Sequence, residues 1–458
     1  MHILKYDHDY SRRAFMAKAG TLAGAGVLAP LWPLIASGQS IAKAYPEELL
    51  SIEGYTKGKI KTGDYITAAN VDIVKALLTP AAYKQVKEMG RKIRIVATTK
   101  DINRLFPQDY LQATLRNSGK AKFGSDGNVY GPNGERWMGG NPFPDAKTGE
   151  EFYANLTLSF GRHDNATYAV RDWDIGPDGK VSYQYDFVWF EENTCGRLGA
   201  GGPYGSYTGE AHKDTLRYNT VLFTGPSDIK GTAYLNKWAY DQRKFPELVG
   251  YVPAFKRIRK FPTNQRFEPL VPGLTFYLSD AWAAGDPMLT WGNYKIVGRG
   301  PMLGAVSQNQ MNHPNWELGV HGGPQNQTFF DIDMELIPEC VIVDAEPVGY
   351  PRAPISKKRS WIDVRNMMYI GYMTFDRRGE AFKSFEPGYS LYEKGNVRHM
   401  TGNNITWSWT TVMSHDLQSN RMSRFVHAKE VGGYKSTWNV DGLYEKYLTD
   451  AAISRLGS

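Results

Sequence analysis

Cysteine is nearly absent from this chain: 458 residues contain two, Cys195 and Cys340. One disulfide is therefore the maximum, and the alternative is a pair of buried thiols. Neither cysteine has a second cysteine or a histidine at metal-ligand spacing, so a cysteine-based metal centre has no support. Charge is sparse as well, at 22% of residues. The net charge is +7; Lys5, Arg12, Arg13, Lys18 and Lys43 against Asp7 and Asp9 in the first 44 residues account for three of these, leaving +4 on the remainder. That surplus is too mild for a nucleic-acid footprint, and no nucleic-acid partner is expected. Beyond residue 45 no run of 18 uncharged apolar residues occurs, so the body has no membrane-spanning helix. G-x-S-x-G, the P-loop and C-x-x-C-H are all missing, which removes the usual sequence basis for hydrolase, nucleotide and haem chemistry. Repeats and low-complexity linkers are missing too.

Aromatic residues, by contrast, are plentiful: 12 Trp, 28 Tyr and 20 Phe, beside 47 Gly and 25 Pro. Such a composition is not that of a disordered chain. A chain of this length buries roughly 75% of its unfolded surface.

The N-terminus reads as a leader. Ser11-Arg12-Arg13-Ala14-Phe15-Met16-Ala17-Lys18 is a twin-arginine export motif, in which Arg12 and Arg13 carry the signal. An apolar small-residue stretch to Ile41 follows, and Ala42-Lys43-Ala44 offers a small-x-small cleavage site before Tyr45. Residues 1–44 are thus expected to be a signal peptide, which places the mature protein, soluble, in the periplasm. Gly24-Ala25-Gly26-Val27-Leu28-Ala29 fits the dinucleotide fingerprint, but no strand precedes it. Export in the folded state often accompanies a cofactor; no cofactor and no metal are expected from the residues themselves.

Residues 45–160 read as a helical and loop segment. Asn70 is placed as the cap of a helix over 71–78, and Thr79-Pro80 opens a second in cap-then-proline order. Residues 91–98 read as a strand, 107–117 as a third helix and 148–156 as a fourth. From 161 to 430 the period changes to two. Gly176-Pro177-Asp178-Gly179 joins strands at 167–175 and 181–190. Further strands are expected at 216–224, 231–238, 254–261, 274–279, 292–298, 328–335, 339–346, 358–364, 367–376 and 405–413, with a tail from 431 to 458. The expected fold is mainly β with N-terminal helices: a large curved antiparallel sheet, an open half-barrel with helices plugging its concave face.

Several strand faces are aromatic. Tyr183, Tyr185, Phe187 and Trp189 share one side of their strand, and Trp407 and Trp409 share a side of another. Tyr369 and Met373 lie on a strand crowded on both faces. Plain core packing explains any one of these residues. As a set, wide aromatics and methionine suit a cavity for a bulky apolar ligand. Lys256-Arg257-Ile258-Arg259-Lys260 is the densest basic run of the body, with Lys256, Arg257, Arg259 and Lys260 either protecting an edge strand or forming a rim for an acidic head group. Other constellations are weak. His313, Glu317 and His321 would be spread by roughly 27 Å between the histidines on a strand. Glu210, His212 and Lys213 sit in a Gly-Ser-Tyr run that reads as an exposed loop, and Asp172 and Asp174 read as a solvated hairpin face rather than a paired-carboxylate site. No catalytic residue is assigned.

Five stretches then resemble a family of exported proteobacterial proteins of this length, catalogued as a domain of unknown function and grouped by fold with the LolA/LolB lipoprotein carriers. They are Gly139-Gly140-Asn141-Pro142-Phe143-Pro144 with Gly149 and Glu151, Gly231-Thr232-Ala233-Tyr234-Leu235, and Tyr251-Val252-Pro253-Ala254-Phe255-Lys256-Arg257-Ile258-Arg259. The others are Trp291-Gly292-Asn293-Tyr294-Lys295-Ile296-Val297-Gly298 and the hairpin from Lys357-Lys358-Arg359 to Arg378-Gly379. The resemblance implies a LolA/LolB-like periplasmic carrier, with a resistance-nodulation-division exporter and an outer-membrane β-barrel as partners. Together with the aromatic faces it leads to a non-catalytic binding or shuttle protein for a lipid-like or other hydrophobic molecule. The alternatives are a cofactor-dependent periplasmic enzyme acting on a hydrophobic substrate and an accessory subunit of an exporter.

Overall fold

The computed structural model describes residues 31–158, 161–207, 210–262, 266–280, 286–308, 319–428 and 430–457. The twin-arginine pair, the Gly24–Ala29 fingerprint, His313 and Glu317 lie outside the described residues. No described helix is long and apolar enough to cross a membrane.

Sixteen strands form one sheet. In chain order they are β1 (Tyr65–Ile66), β2 (Ile93–Val96), β3 (Asn165–Ile175), β4 (Val181–Asn193), β5 (Thr215–Gly225), β6 (Ala233–Ala239), β7 (Glu247–Val252) and β8 (Arg257–Phe261). They continue with β9 (Gly292–Gly304), β10 (Asp333–Glu346), β11 (Ile355–Asp363), β12 (Met368–Asp376), β13 (Ala381–Leu391), β14 (Trp407–Asp416), β15 (Arg421–His427) and β16 (Thr437–Trp438). The spatial order is β1-β2-β10-β11-β12-β13-β14-β15-β3-β4-β5-β6-β7-β8, with β9 on β10 and β16 on β3. The path has two ends, so the sheet is open. β2 and β10 pair in parallel, and the other described pairings in the sheet are antiparallel.

Local chemistry explains the helices before the sheet. Thr79 Oγ1 accepts from the Ala82 N–H and Pro80 occupies the first turn of α1 (Pro80–Glu88), as its sequence predicts. The preceding segment Val71–Leu77 is a 3-10 helix rather than an α-helix, and Asn70 does not cap it; its carboxamide oxygen accepts from Thr67 N–H instead. α2 spans Gln108–Asn117. α3 (Gly149–Leu158) is opened by a reciprocal box in which Thr148 Oγ1 accepts from Glu151 N–H and Glu151 Oε2 from Thr148 N–H. In the β3–β4 hairpin the Gly179 N–H closes the turn onto Gly176 O, and Arg171 pairs with Asp186 directly across at 2.8 Å.

The sheet is covered on both faces. On one, called here the inner face, α3 packs with Val170, Val341, Val343, Ile362, Tyr372, Phe385 and Phe425. On the other, α1 and the Val71–Leu77 segment pack on Ile93, Ile95, Met413, Met422 and Val426, and α2 on Met302, Ile337, Trp361 and Ile370. The helical filling expected for the hollow is therefore supplied by α3. Residues 31–44, on the leader side of the expected cleavage site, also touch the body, with Ile35 and Ile41 buried beside Leu105 and Phe106.

Candidate ligand-binding face

Topology forces one unusual connection. β8 is the last strand at one end of the sheet and β9 sits on β10 near the other, so the chain between them must recross the molecule. After a single 3-10 turn at 266–267, residues 268–280 do so over the inner face without forming helix or strand. The strand expected at 274–279 is this strap. Tyr185 of β4 donates to Pro272 O at 2.8 Å, and Lys358 of β11 donates to Ser279 O at 3.0 Å. A flat sheet would set β4 and β11 about 29 Å apart at six strand spacings. Seven residues span at most about 25 Å when extended, so with the reach of the two side chains the strap runs across most of that width.

Its contacts are aromatic in the middle and polar at the far end. The Phe276 ring lies 4.9 Å from Phe425 and 6.5 Å from Phe385. Thr275 N–H donates to Ser423 Oγ and its hydroxyl to Ser414 O, both at 2.9 Å. Tyr277 places its ring 3.1 Å from the Lys383 ammonium, while Asp280 Oδ2 is 3.9 Å from it. The Tyr372 hydroxyl donates to Asp280 O. Burial lowers both amines, that of Lys383 to about 8.

The expected lining residues divide. Phe187, Trp189, Tyr369, Trp407 and Trp409 converge on one inner-face cluster, and Tyr185 adjoins it beneath Val271. Tyr183, at 42% exposure, stands at the rim rather than inside. Met373 cannot share a cavity with Tyr369: it lies on the opposite face among α2 residues, because strand alternation is broken by a bulge at Ile370, where the register shifts opposite Trp361 and Ile362. Trp407 and Trp409 are packed by protein. Tyr389 stacks on Trp407 at 5.3 Å, and His427 meets Trp409 edge-on at 3.8 Å. The His163 ring N–H donates to Trp407 O, its pKa pushed down to about 4 by burial. Aromatic residues that meet the strap include Tyr185, Tyr372, Phe385 and Phe425.

The remaining constellations settle as follows. Cys195 and Cys340 are free, buried thiols in separate core clusters, so the possible disulfide is not formed; burial pushes the Cys195 thiol up to about 12. Asp172 and Asp174 are not solvated. Both are buried, Asp174 with Gly273 of the strap against it; among the described residues neither oxygen of Asp172 has a hydrogen-bond partner, and burial raises both carboxyls, Asp174 to about 7. Lys256, Arg257, Arg259 and Lys260 lie on or beside the edge strand β8, with Arg259 over Phe255 and Lys260 paired to Glu247. His321 Nε2 accepts from the Lys92 N–H beside a groove of about 350 Å3 lined also by Tyr65, Thr67 and Asp331. Glu210 pairs with Lys213 on an exposed turn. Among the described residues no group of three His, Cys, Asp or Glu side chains could hold a metal.

Sequence reasoning missed the strap and the two buried lysines. Lys358 is masked by its neighbours Lys357 and Arg359, which point to the other face and pair with Asp344. Strand alternation over 355–363 would have set Lys358 with Ser360 and Ile362. Lys383 lies on β13, whose Pro387 and Gly388 disguise a strand. Pairing to β12 ends at Phe385 and a bulge follows Gly388, so that proline leaves no ladder bond unmade.

The chain belongs to the family described as "Protein of unknown function (DUF1329)", which it matches over residues 65–454. No curated protein matches it in sequence. Among solved structures it is similar to a DUF1329 family protein from Desulfovibrio piger, at 14% identity, 67% of this chain, 100% of that one and a TM-score of 0.42. It is also similar to a LolA superfamily protein from Nitrosomonas europaea, at 14% identity, 61% and 91% coverage and a TM-score of 0.34.

Proposed function

We propose that this DUF1329 protein is a periplasmic, non-catalytic binding or shuttle protein for a lipid-like or otherwise hydrophobic molecule, held on the inner face where the strap lies. One observation carries the reading. The aromatic face formed by Tyr185, Tyr372, Phe385 and Phe425 is closed by an irregular segment rather than by a helix or strand. An irregular stretch as long as residues 268–280 is uncommon in a compact domain and is usually functional. An apolar ligand of on the order of 300 Å2, laid on that face, would gain ~7.5 kcal/mol before entropic costs. That supports carriage and release and requires no bond-making. The leader motif at Arg12-Arg13 supports export by the twin-arginine route. The family resemblance supports service to an envelope transport system, with an exporter and an outer-membrane β-barrel as partners.

Native mass spectrometry of protein purified from periplasm tests this. The expected result is a co-purified lipid or other apolar molecule, lost on delipidation. A bound metal or organic cofactor would favour the enzymatic alternative. A chain that carries nothing and takes up no hydrophobic probe would refute the reading in favour of an accessory subunit.

A further inference from the structure

An apolar ligand needs only the aromatic part of the inner face, yet the strap's far end covers a row of polar groups. Lys358 on β11, Thr374 on β12 and Lys383 on β13 are direct cross-strand partners, Lys358 with Thr374 and Thr374 with Lys383. Direct partners share a face, with Cβ atoms about 5 Å apart. All three are buried, at 0%, 1% and 4% exposure. Two ammonium groups and a hydroxyl thus stand side by side away from bulk solvent.

Their partners are too few. The Lys358 ammonium has three protons to donate; it gives one to Ser279 O, and otherwise faces the rings of Trp291 and Tyr372 at 4.6 and 4.8 Å. Among the described residues no carboxylate lies within ion-pair distance of it. Lys383 has the Tyr277 ring and, at 3.9 Å, Asp280 Oδ2. Among the described residues the buried Thr374 hydroxyl has no hydrogen-bond partner. The outer-face neighbours of the same strand show what ordinary pairing looks like: Lys357 and Arg359 meet Asp344 at 3.0 and 2.6 Å. A buried cation is retained at a cost unless an anion and hydrogen bonds compensate it. Here the close described contacts come from the strap, while Asp286 and Asp416, off the strap and beyond ion-pair distance, add weaker attraction to Lys358 and Lys383.

We propose that the Lys358–Thr374–Lys383 row binds the acidic head of an amphiphile, a carboxylate or phosphate whose apolar tail lies along Tyr372, Phe385 and Phe425. The strap is an internal surrogate for that ligand. Ser279 O and the Asp280 carboxylate take the place of head-group oxygens, and Phe276 takes the place of the tail. Binding exchanges one set of contacts for the other, so the buried lysines are never left without oxygen partners. The inference rests on the proposed function and specifies the ligand's polar end.

The test uses the mature chain and four probes of one chain length: hexadecanoic acid, its methyl ester, hexadecyl phosphate and hexadecyltrimethylammonium. Affinities are read by displacement of a fluorescent hydrophobic dye. The wild type is expected to bind the acid or the phosphate at least ~10-fold more tightly than the ester and the ammonium probe, the equivalent of about 1.4 kcal/mol. Which of the two anions is preferred identifies the head. Lys358→Met with Lys383→Met should abolish the preference while keeping ester binding. Asp280→Asn, which weakens the surrogate and leaves the lysines in place, should tighten binding of the preferred anion severalfold, and it decides the matter if the double variant does not fold. Equal affinity for acid, phosphate and ester in the wild type overturns this inference and leaves the proposed function standing; so does a preference that survives the double substitution. Failure of every probe to bind overturns the proposed function itself.

Discussion

Replacement of Trp407 by alanine separates a ligand-lining role from a structural one. From the aromatic face alone, this residue is expected to line a cavity, and its truncation should then weaken binding more than folding. The packing reverses that expectation. Trp407 is 1% exposed, Tyr389 stacks on it at an interplanar angle of 8°, and the Arg162 guanidinium lies 5.8 Å from its ring. A buried tryptophan removes 150–250 Å2 from water, worth about 5 kcal/mol. Among the described residues its buried indole N–H has no partner, which offsets on the order of 1–2 kcal/mol. The expected loss for Trp407→Ala is therefore about 3–4 kcal/mol, within the range for aromatic truncations in packed cores. Trp407→Phe, which keeps a ring and deletes the orphaned N–H, should cost less than about 1.5 kcal/mol. Urea denaturation of both variants, read by circular dichroism at unchanged m-value, measures these losses beside dye affinity. A loss for Trp407→Ala below about 1.5 kcal/mol together with weakened dye binding would refute the packing argument and return Trp407 to a cavity wall.

Three further outcomes are expected. Arg12→Lys with Arg13→Lys should leave precursor in the cytoplasm, by fractionation and immunoblot; normal periplasmic accumulation would remove the export reading. Thiol titration of the denatured, unreduced protein should find both Cys195 and Cys340 free, and none would mean a bridge that the structure does not form. Asp174→Asn should stabilise the protein at pH 8 but not at pH 4. The folded-state pKa of this carboxyl is raised by burial to about 7, so its contribution is full below about pH 4 and is lost as pH rises through 7, on the order of 2–4 kcal/mol in all. Equal gains at both pH values in parallel urea titrations would show that the carboxyl's charge is not the cause.

Much of the architecture was legible because it rests on short-range rules. The change of period after residue 160, the Thr79-Pro80 start of α1 and the Gly176–Gly179 turn each follow from residues within a few positions of one another, and the structure holds all three. Strand existence was likewise readable wherever apolar residues alternate. β13 and β15 were hidden, the first by Pro387 and Gly388, the second by arginines that alternate with apolar residues without a clean period.

What sequence pattern cannot specify is which strand lies beside which. That Tyr369 faces inward and Met373 outward depends on a bulge created by the partner strand. That Asp174 is buried depends in part on a segment a hundred residues later in the chain, where Gly273 lies against its side chain. The same holds for the candidate site. Lys358, Thr374 and Lys383 are spread over 26 positions and become one row only through the register of three antiparallel strands. The strap crosses them because the sheet order puts β8 and β9 at opposite ends. Local composition therefore determined a β-rich body with aromatic faces, since propensity and alternation act between neighbours. Strand order and register, set by burial of the whole sheet at once, decided which of those faces is packed and which is closed by a strap.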